Sequence, residues 1–296
     1  MSVTSAPDPV AEAAPARRRT RAGWLLAVPS FGWTLLFFLV PLGFLFAYSL
    51  GEIDIITFQV HWGWTLDNYA GVFDQLYLTA IRHSVLLSVG ATAGALVIGF
   101  PIAYYISLQR GRRQLLLLLA VMVPFWTSFL VRTYAMTNLL GNGGPVATVW
   151  GWFGGGDLNL LYTPTAILLG ILYSYLPLMV LPLFVALERI EPAVRDAAAD
   201  LGASGWRTLR RVIVPLAMPG IVAGCILVGV PATGEYVVPA ILGGGKTLMY
   251  GNVVADQFQT VGDYPFGAAL SMTLMAVLTV TVLVLRRAGA RAEAVT

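Results

Sequence analysis

Few side chains in this 296-residue sequence are equipped for reactions, and most ways of combining them fail. His61, His83 and the single cysteine, Cys225, make no metal-ligand set, and one cysteine excludes both an intrachain disulfide and a CxxC site. No nucleophile, base and orienting group stand in a readable arrangement. Gly243-Gly-Gly245-Lys246-Thr247 looks like part of a phosphate loop but lacks the full G-x-x-x-x-G-K-[ST] spacing, so nucleotide binding there is rejected. What remains is Glu235, the lone acid inside any long apolar stretch, together with Arg132 and the aromatics Trp126, Tyr134, Tyr173, Tyr175 and Tyr236. A charged side chain at the centre of a bilayer costs about 2.5–3.5 kcal/mol on insertion scales, so Glu235 must face the protein interior or a watery path. It could pair with Arg132 and hold two helices together, or serve as a cap or gate. Trp and Tyr are also enriched at bilayer interfaces as a matter of course, which gives each aromatic an alternative role.

The elements that carry these residues follow from composition. Apolar residues make up 57% of the chain and charged residues 11%, with a mean hydropathy of +0.76. Such a chain cannot wrap a core in a solvated skin, which excludes a soluble globular protein. Apolar stretches of the roughly 20 residues needed to cross a bilayer fall near Trp24–Leu50, His83–Leu108, Leu115–Leu140, Thr165–Leu187, Pro215–Leu242 and Phe266–Leu285. The third is the least clean, because Arg132 interrupts it and Gly141-Asn-Gly-Gly-Pro145 ends it. The expectation is an all-α integral membrane protein with six transmembrane helices; no alternating segments of a lipid-exposed barrel are present. The first stretch is about twice the length of a signal-peptide core, so it reads as a retained span. The same length argues against a twin-arginine signal at Arg17-Arg18-Arg19.

Basic residues set the orientation. Of the 18 Lys and Arg, all but Arg82, Arg132 and Lys246 fall in the N-terminal tail, the second-to-third connection, the fourth-to-fifth connection or the C-terminal tail. Both termini are therefore expected in the cytoplasm. The opposite loops hold Glu52, Asp54, Asp67, Asp74, Asp157, Asp256 and Asp263. That acidic face would attract cations, or it simply remains once bases are excluded from translocated loops. The expected divisions are a disordered tail over 1–23, a first span over 24–50, a five-helix core over 81–286 that includes a loop at 188–217, and a tail over 287–296.

That loop is amphipathic and regularly punctuated. Pro192 suits the first turn of a helix, and Val194, Ala197, Ala198 and Leu201 then fall on one helical face. Gly202 stands where a left-handed terminating residue belongs, and Ser204 is placed to cap a second helix. Trp206, Leu209, Val212 and Ile213 give that helix a stripe, and Pro215 and Pro219 mark the return to the membrane. The loop thus predicts two short helices bent at Gly202, with Ala197-Ala-Ala199 allowing another surface to approach closely. The second helix could instead lie on headgroups through Arg207, Arg210 and Arg211. An Ala-rich, acidic first helix makes a poor lipid anchor.

Asp196-Ala-Ala, three residues, Gly202, nine residues and Val212-Ile-Val-Pro215 resembles the EAA loop of ABC importer permeases, EAA-x3-G-x9-I-x-L-P. Asp196 replaces the usual Glu, and Val212 and Val214 replace Ile and Leu, with the spacing intact. Pro124-Phe-Trp-Thr-Ser128 with Arg132-Thr-Tyr134, Tyr162-Thr-Pro-Thr-Ala166, Asp200-Leu-Gly-Ala-Ser204, Pro215-Leu-Ala-Met-Pro-Gly220, Gly234-Glu-Tyr-Val-Val-Pro239, Gly251-Asn-Val-Val254 and Asp263-Tyr-Pro-Phe-Gly-Ala268 look like PotB-type permeases of spermidine/putrescine importers. The resemblance covers roughly residues 80–286.

It implies a type I ABC importer permease fold, with spans two to six as the core and span one outside it. It also implies a coupling helix docking on a cytoplasmic ATPase through Asp196, Ala197, Ala198, Asp200, Leu201, Gly202, Ala203, Ser204 and Pro215. The implied partners are an ATPase dimer, a PotC-type second permease and an extracytoplasmic polyamine-binding protein. ATP and Mg belong to the ATPase, and this chain binds no cofactor. For a cargo with several ammonium groups, Glu235 beside Tyr236, Trp126, Tyr134, Tyr173 and Tyr175 would be a natural transient partner. Ferric ion, an opine or a phosphonate are alternative cargoes within the same kind of permease. A standalone channel or an intramembrane enzyme is the reading from another class; the docking loop and the missing catalytic set argue against both.

Overall fold

The computed structural model describes residues 19–293 except 55, 56, 58, 154, 156 and 157, with side chains described from 28 to 287. Of the tail expected to be disordered over 1–23, residues 1–18 lie outside the described residues, as does Asp157, while residues 19–23 are helical instead. Helix α1 (Arg19–Ser49) begins ahead of the expected start at 24 and stays helical through Pro29 and Pro41. Its side chains from Val28 onward are apolar and largely exposed, as a lipid-facing span requires. The chain divides at Ala47, and the larger unit, from Tyr48 onward, contains everything that follows.

After α1 comes a feature the apolar pattern did not announce, a short antiparallel hairpin of β1 (Glu52–Ile53) and β2 (Val60–His61). Then follow α2 (Asp67–Gly71), α3 (Gln75–Ser107), α4 (Gly111–Met122), a 3-10 turn (Val123–Trp126), α5 (Phe129–Leu140), α6 (Pro145–Trp152) and α7 (Pro164–Glu188). The loop region holds α8 (Pro192–Asp200), α9 (Gly205–Thr208), a π turn (Leu209–Ile213) and α10 (Val214–Leu216). The chain closes with α11 (Met218–Thr233), α12 (Val237–Leu242), α13 (Tyr250–Asp256), a second π turn (Gln257–Val261) and α14 (Tyr264–Glu293). Helix α14 extends through most of the stretch expected to be a tail.

Among the described residues four helices are long and apolar enough to cross a membrane alone: α1, α3, α7 and α14. The other two expected spans are not continuous. The third is broken, with its α4 and α5 portions meeting at 92°. Helix α4 has 12 residues and is therefore about 18 Å long, short of a hydrocarbon core of roughly 30 Å. The break sits at Pro124 and the 3-10 turn, and Ser128 leaves helical geometry at φ −54°, ψ 134°. The expected fifth span is bent by 67° between α10 and α11, and interrupted again between α11 and α12.

The centre of the larger unit is α3, α7 and α11 in mutual contact. Lipid tails are as apolar as leucine, so helices in a membrane associate by close packing, and small residues line the seams. Ala91, Ala95 and Ala103 of α3 are fully buried against Ile171, Met179, Leu183 and Leu187 of α7 and Val228 of α11. Gly220 opens the α11 seam: a Cβ there would lie 2.6 Å from the Pro182 carbonyl oxygen and 2.5 Å from the Ala186 Cβ. Some polar side chains find partners within this packing, while the Thr92 hydroxyl is buried without one. Thr233 hydrogen-bonds Ser88 at 3.0 Å, and Ser84 accepts the Tyr250 N–H at 2.7 Å, pinning α13 to α3.

Candidate functional site: an exposed loop and a broken helix

Pro192 occupies the first turn of α8, where its missing N–H leaves nothing unpaired. At the other end Gly202 adopts φ +74°, the Ala203 N–H reaches back to the Ala198 carbonyl (3.0 Å), and the Gly202 N–H to that of Ala199 (2.9 Å). These two bonds form a Schellman stop, which needs a left-handed residue and so favours glycine. The expected bend at Gly202 is present.

The loop's faces differ from the simple periodic reading. Ala198 turns inward and Val194 is half-buried, but Leu201 is 88% exposed. Leu201 is the residue at which the chain leaves the helix, so the 3.6-residue period no longer sets its direction. Trp206 is 72% exposed, whereas Ile213 is fully buried. Between them the Leu209–Ile213 stretch is wound as a π turn, which shifts the stripe. Ser204 stands at the N-cap position of α9 without a side-chain capping bond, so the helix starts on backbone geometry alone. Asp196, Ala197, Ala199, Asp200, Leu201, Gly202 and Ser204 are therefore exposed together, with Ala203 and Pro215 half-buried behind them. The knuckle is tied to the bundle through Arg195, whose guanidinium lies 5.3 Å from the ring centroid of Tyr104 on α3.

Glu235 sits in the three-residue break between α11 and α12 and is 6% exposed. Its Oε1 accepts the backbone N–H groups of Tyr236 (3.1 Å), Val237 (2.9 Å) and Val238 (3.3 Å). Its Oε2 accepts the hydroxyl of Tyr175 on α7 at 2.5 Å. Asn252 of α13 supports the break from below, donating to the Tyr236 carbonyl at 2.8 Å and accepting the Met249 N–H at 3.2 Å. Gly251 is needed beside it, because a Cβ there would lie 2.4 Å from the Gly234 carbonyl oxygen. Gly251 and Asn252 entered the sequence reading only within the Gly251-Asn-Val-Val254 resemblance, with no structural role assigned; an amide in an otherwise apolar run was the available signal.

The Glu235–Arg132 pair does not form. Arg132 is 7% exposed, sits 5.3 and 5.8 Å over the rings of Phe125 and Phe129, and its Nε has no hydrogen-bond partner. Tyr175 comes between them, 6.5 Å from Phe129 and bonded to Glu235. The aromatics are only partly gathered. Tyr175 joins Glu235, while Tyr173, two positions along α7 and so about 200° around it, faces elsewhere and is exposed. Trp126, Tyr134 and Tyr236 expose their rings, Trp126 at the end of the 3-10 turn and Tyr134 on α5, which contacts both α12 and α7. Asp263 accepts the Phe266 N–H at 3.0 Å and caps α14, while Asp256 is exposed. Tyr162 takes a left-handed φ of +64°, and its N–H bonds the Leu242 carbonyl at 2.9 Å. Among the described residues no group of three or more His, Cys, Asp or Glu side chains could hold a metal.

Comparison with known proteins extends the loop's message to the whole chain. The spermidine/putrescine transport system permease protein PotB of Salmonella typhimurium (strain SL1344) is 40% identical over 260 residues, covering 87% of this chain and 90% of that protein. PotB of Escherichia coli (strain K12) is 39% identical, covering 87% and 94%. A crystallised bacterial ABC transporter involved in import of the acidic polysaccharide alginate has a chain that superposes with a TM-score of 0.71. It shares 16% identity and covers 93% of this chain and 96% of its own. That likeness establishes the type I importer permease fold and nothing about cargo. The family model for binding-protein-dependent transport system inner membrane components matches residues 24–290, and the chain belongs to that family.

Proposed function

We propose that this chain is the permease subunit of an ATP-driven importer that carries polyamines into the cytoplasm by alternating access. The observation that carries the reading is the 40% identity to a spermidine/putrescine permease over nearly its full length. The chain contributes a path and a docking knuckle, and bond breaking takes place in a partner ATPase that holds ATP and Mg. A companion permease of the PotC type completes the path, and an extracytoplasmic binding protein delivers cargo. The knuckle lies in the cytoplasm, as do both termini, in keeping with the clustering of basic residues.

Asp196 through Ser204, with Pro215 behind, meet a cleft on the ATPase, the protruding Leu201 and the small Ala197 and Ala199 permitting close contact. Closure of the ATPase dimer on ATP pulls the knuckle and rocks the two permeases about the path. Trp126, Tyr134 and Tyr236 offer ring faces to a passing ammonium group, an attraction of about 0.5–2 kcal/mol each. Contacts that weak suit a site that must release its cargo every cycle. Gly202→Pro breaks the helix stop and Ala198→Arg forces a charge into a buried position. Either is expected to abolish uptake and lower co-purification of the ATPase with the membrane complex; normal ATP-coupled uptake by both variants would overturn the docking assignment.

A further inference from the structure

Glu235 is the residue that charge considerations would first assign to a cationic cargo, and its geometry argues otherwise. A carboxylate offers about four lone-pair sites. Here four protein donors engage the group: three backbone N–H groups share Oε1 and the Tyr175 hydroxyl binds Oε2, which keeps one further acceptor direction. The residue is 6% exposed, so a solute has little access to it. We infer that Glu235 is a positioning residue: it acts as an internal cap and latch that holds the α11–α12 break in register with α7, and cargo meets the exposed Tyr236 ring beside it.

The physical need is local. Ending α11 at Thr233 and starting α12 at Val237 leaves backbone N–H groups without intrahelical partners. In a membrane-embedded segment water is not at hand to satisfy them, and each unsatisfied group costs several kcal/mol. Oε1 satisfies three of them at once. The Tyr175 bond adds a tie between elements 60 residues apart in sequence, so a shift of α7 is transmitted to the break. Asn252 fixes the Tyr236 carbonyl on the opposite side. The Tyr236 backbone is thereby held by Glu235 at its N–H and by Asn252 at its C=O, while its side chain stays exposed.

A cap and a cargo-binding charge respond differently to substitution. Glu235→Gln removes the charge but keeps Oε1 as acceptor for the same three N–H groups. Its amide N–H can donate to the Tyr175 oxygen, reversing that bond without breaking it. Tyr175→Phe removes the latch and leaves the charge. The inference rests on the importer reading above, so the readouts separate the two. The complete importer, with both permeases, the ATPase and the binding protein, is reconstituted in liposomes. Labelled spermidine uptake and ATP hydrolysis stimulated by the loaded binding protein are then measured for each variant.

The expected result is Glu235→Gln within about threefold of the parent in both KM and maximal rate. Tyr175→Phe is expected to lose at least fivefold in maximal rate with KM unchanged. Glu235→Gln as inactive as Glu235→Ala, or with KM raised tenfold, while Tyr175→Phe transports normally, would overturn the inference and return the carboxylate to the cargo. If the parent importer moves no spermidine yet hydrolyses ATP, the cargo reading fails, and the same ranking of variants is read on ATP hydrolysis. Glu235→Ala failing to assemble does not weaken the test, because the Gln and Phe variants carry it.

Discussion

A polar group inside a membrane protein is defined by where its partners come from, and three residues illustrate the point. Glu235 draws its donors from its own broken helix and from α7. Arg132, one of the candidates for its partner, lies over two phenyl rings instead. Asn252 spends both ends of its amide on backbone groups, the Tyr236 carbonyl and the Met249 N–H. Interhelical hydrogen bonds in membranes average about 0.6 kcal/mol, so Asn252→Leu is expected to cost about 1 kcal/mol. That should lower the unfolding temperature of the detergent-solubilised chain by about 2–4 °C; no change would mean that the break stands without this support. That Glu235 had to face the interior was legible, because a lone acid in an apolar run has few places to go. Its partners were not, because Tyr175 and the α12 backbone reach it only through the tertiary arrangement of α7 against the break.

At the scale of elements, the spans were legible from length and hydropathy, while their breaks were not. Pro101, Pro177, Pro182 and Pro231 all lie inside continuous helices, whereas Pro124 accompanies a 92° turn. Proline content alone therefore does not decide where a membrane helix stops, since neighbours can re-satisfy the freed backbone groups. Helix α8 was readable because each of its signals is local: Pro192 at the start, an Ala-rich face, and Gly202 at the stop. Leu201 was misplaced because the helix ends there, and Trp206 because a π turn follows it. A residue with a Cβ at the left-handed Gly202 position costs about 1–2 kcal/mol. Gly202→Ala is therefore expected to slow ATP-coupled uptake severalfold while leaving the amount of folded permease in the membrane unchanged; full-rate uptake would show that the stop is not needed for coupling.

At the scale of the whole molecule, α3, α7 and α11 form a seam whose closeness depends on small residues, with the loop following α7 and the break following α11 beside the middle of α7. Gly220→Leu would drive a side chain into the Pro182 carbonyl oxygen, an overpacking cost of about 1–3 kcal/mol or more. The expected outcome is loss of assembled complex in membranes, measured by the yield of ATPase bound to the permease pair. Orientation is tested by labelling single cysteines in a Cys225→Ser background. Lys246→Cys should react with an impermeant reagent from outside intact cells, and Arg210→Cys only after the cells are opened. The central claim, ATP-driven polyamine import, is tested most directly by labelled spermidine and putrescine uptake. The strain should lack redundant importers and be assayed with and without this gene, in the presence of unlabelled polyamine, iron, phosphonate or opine competitors. Uptake that depends on the gene and is blocked by polyamines alone is the predicted result; polyamine uptake unchanged by loss of the gene would contradict it.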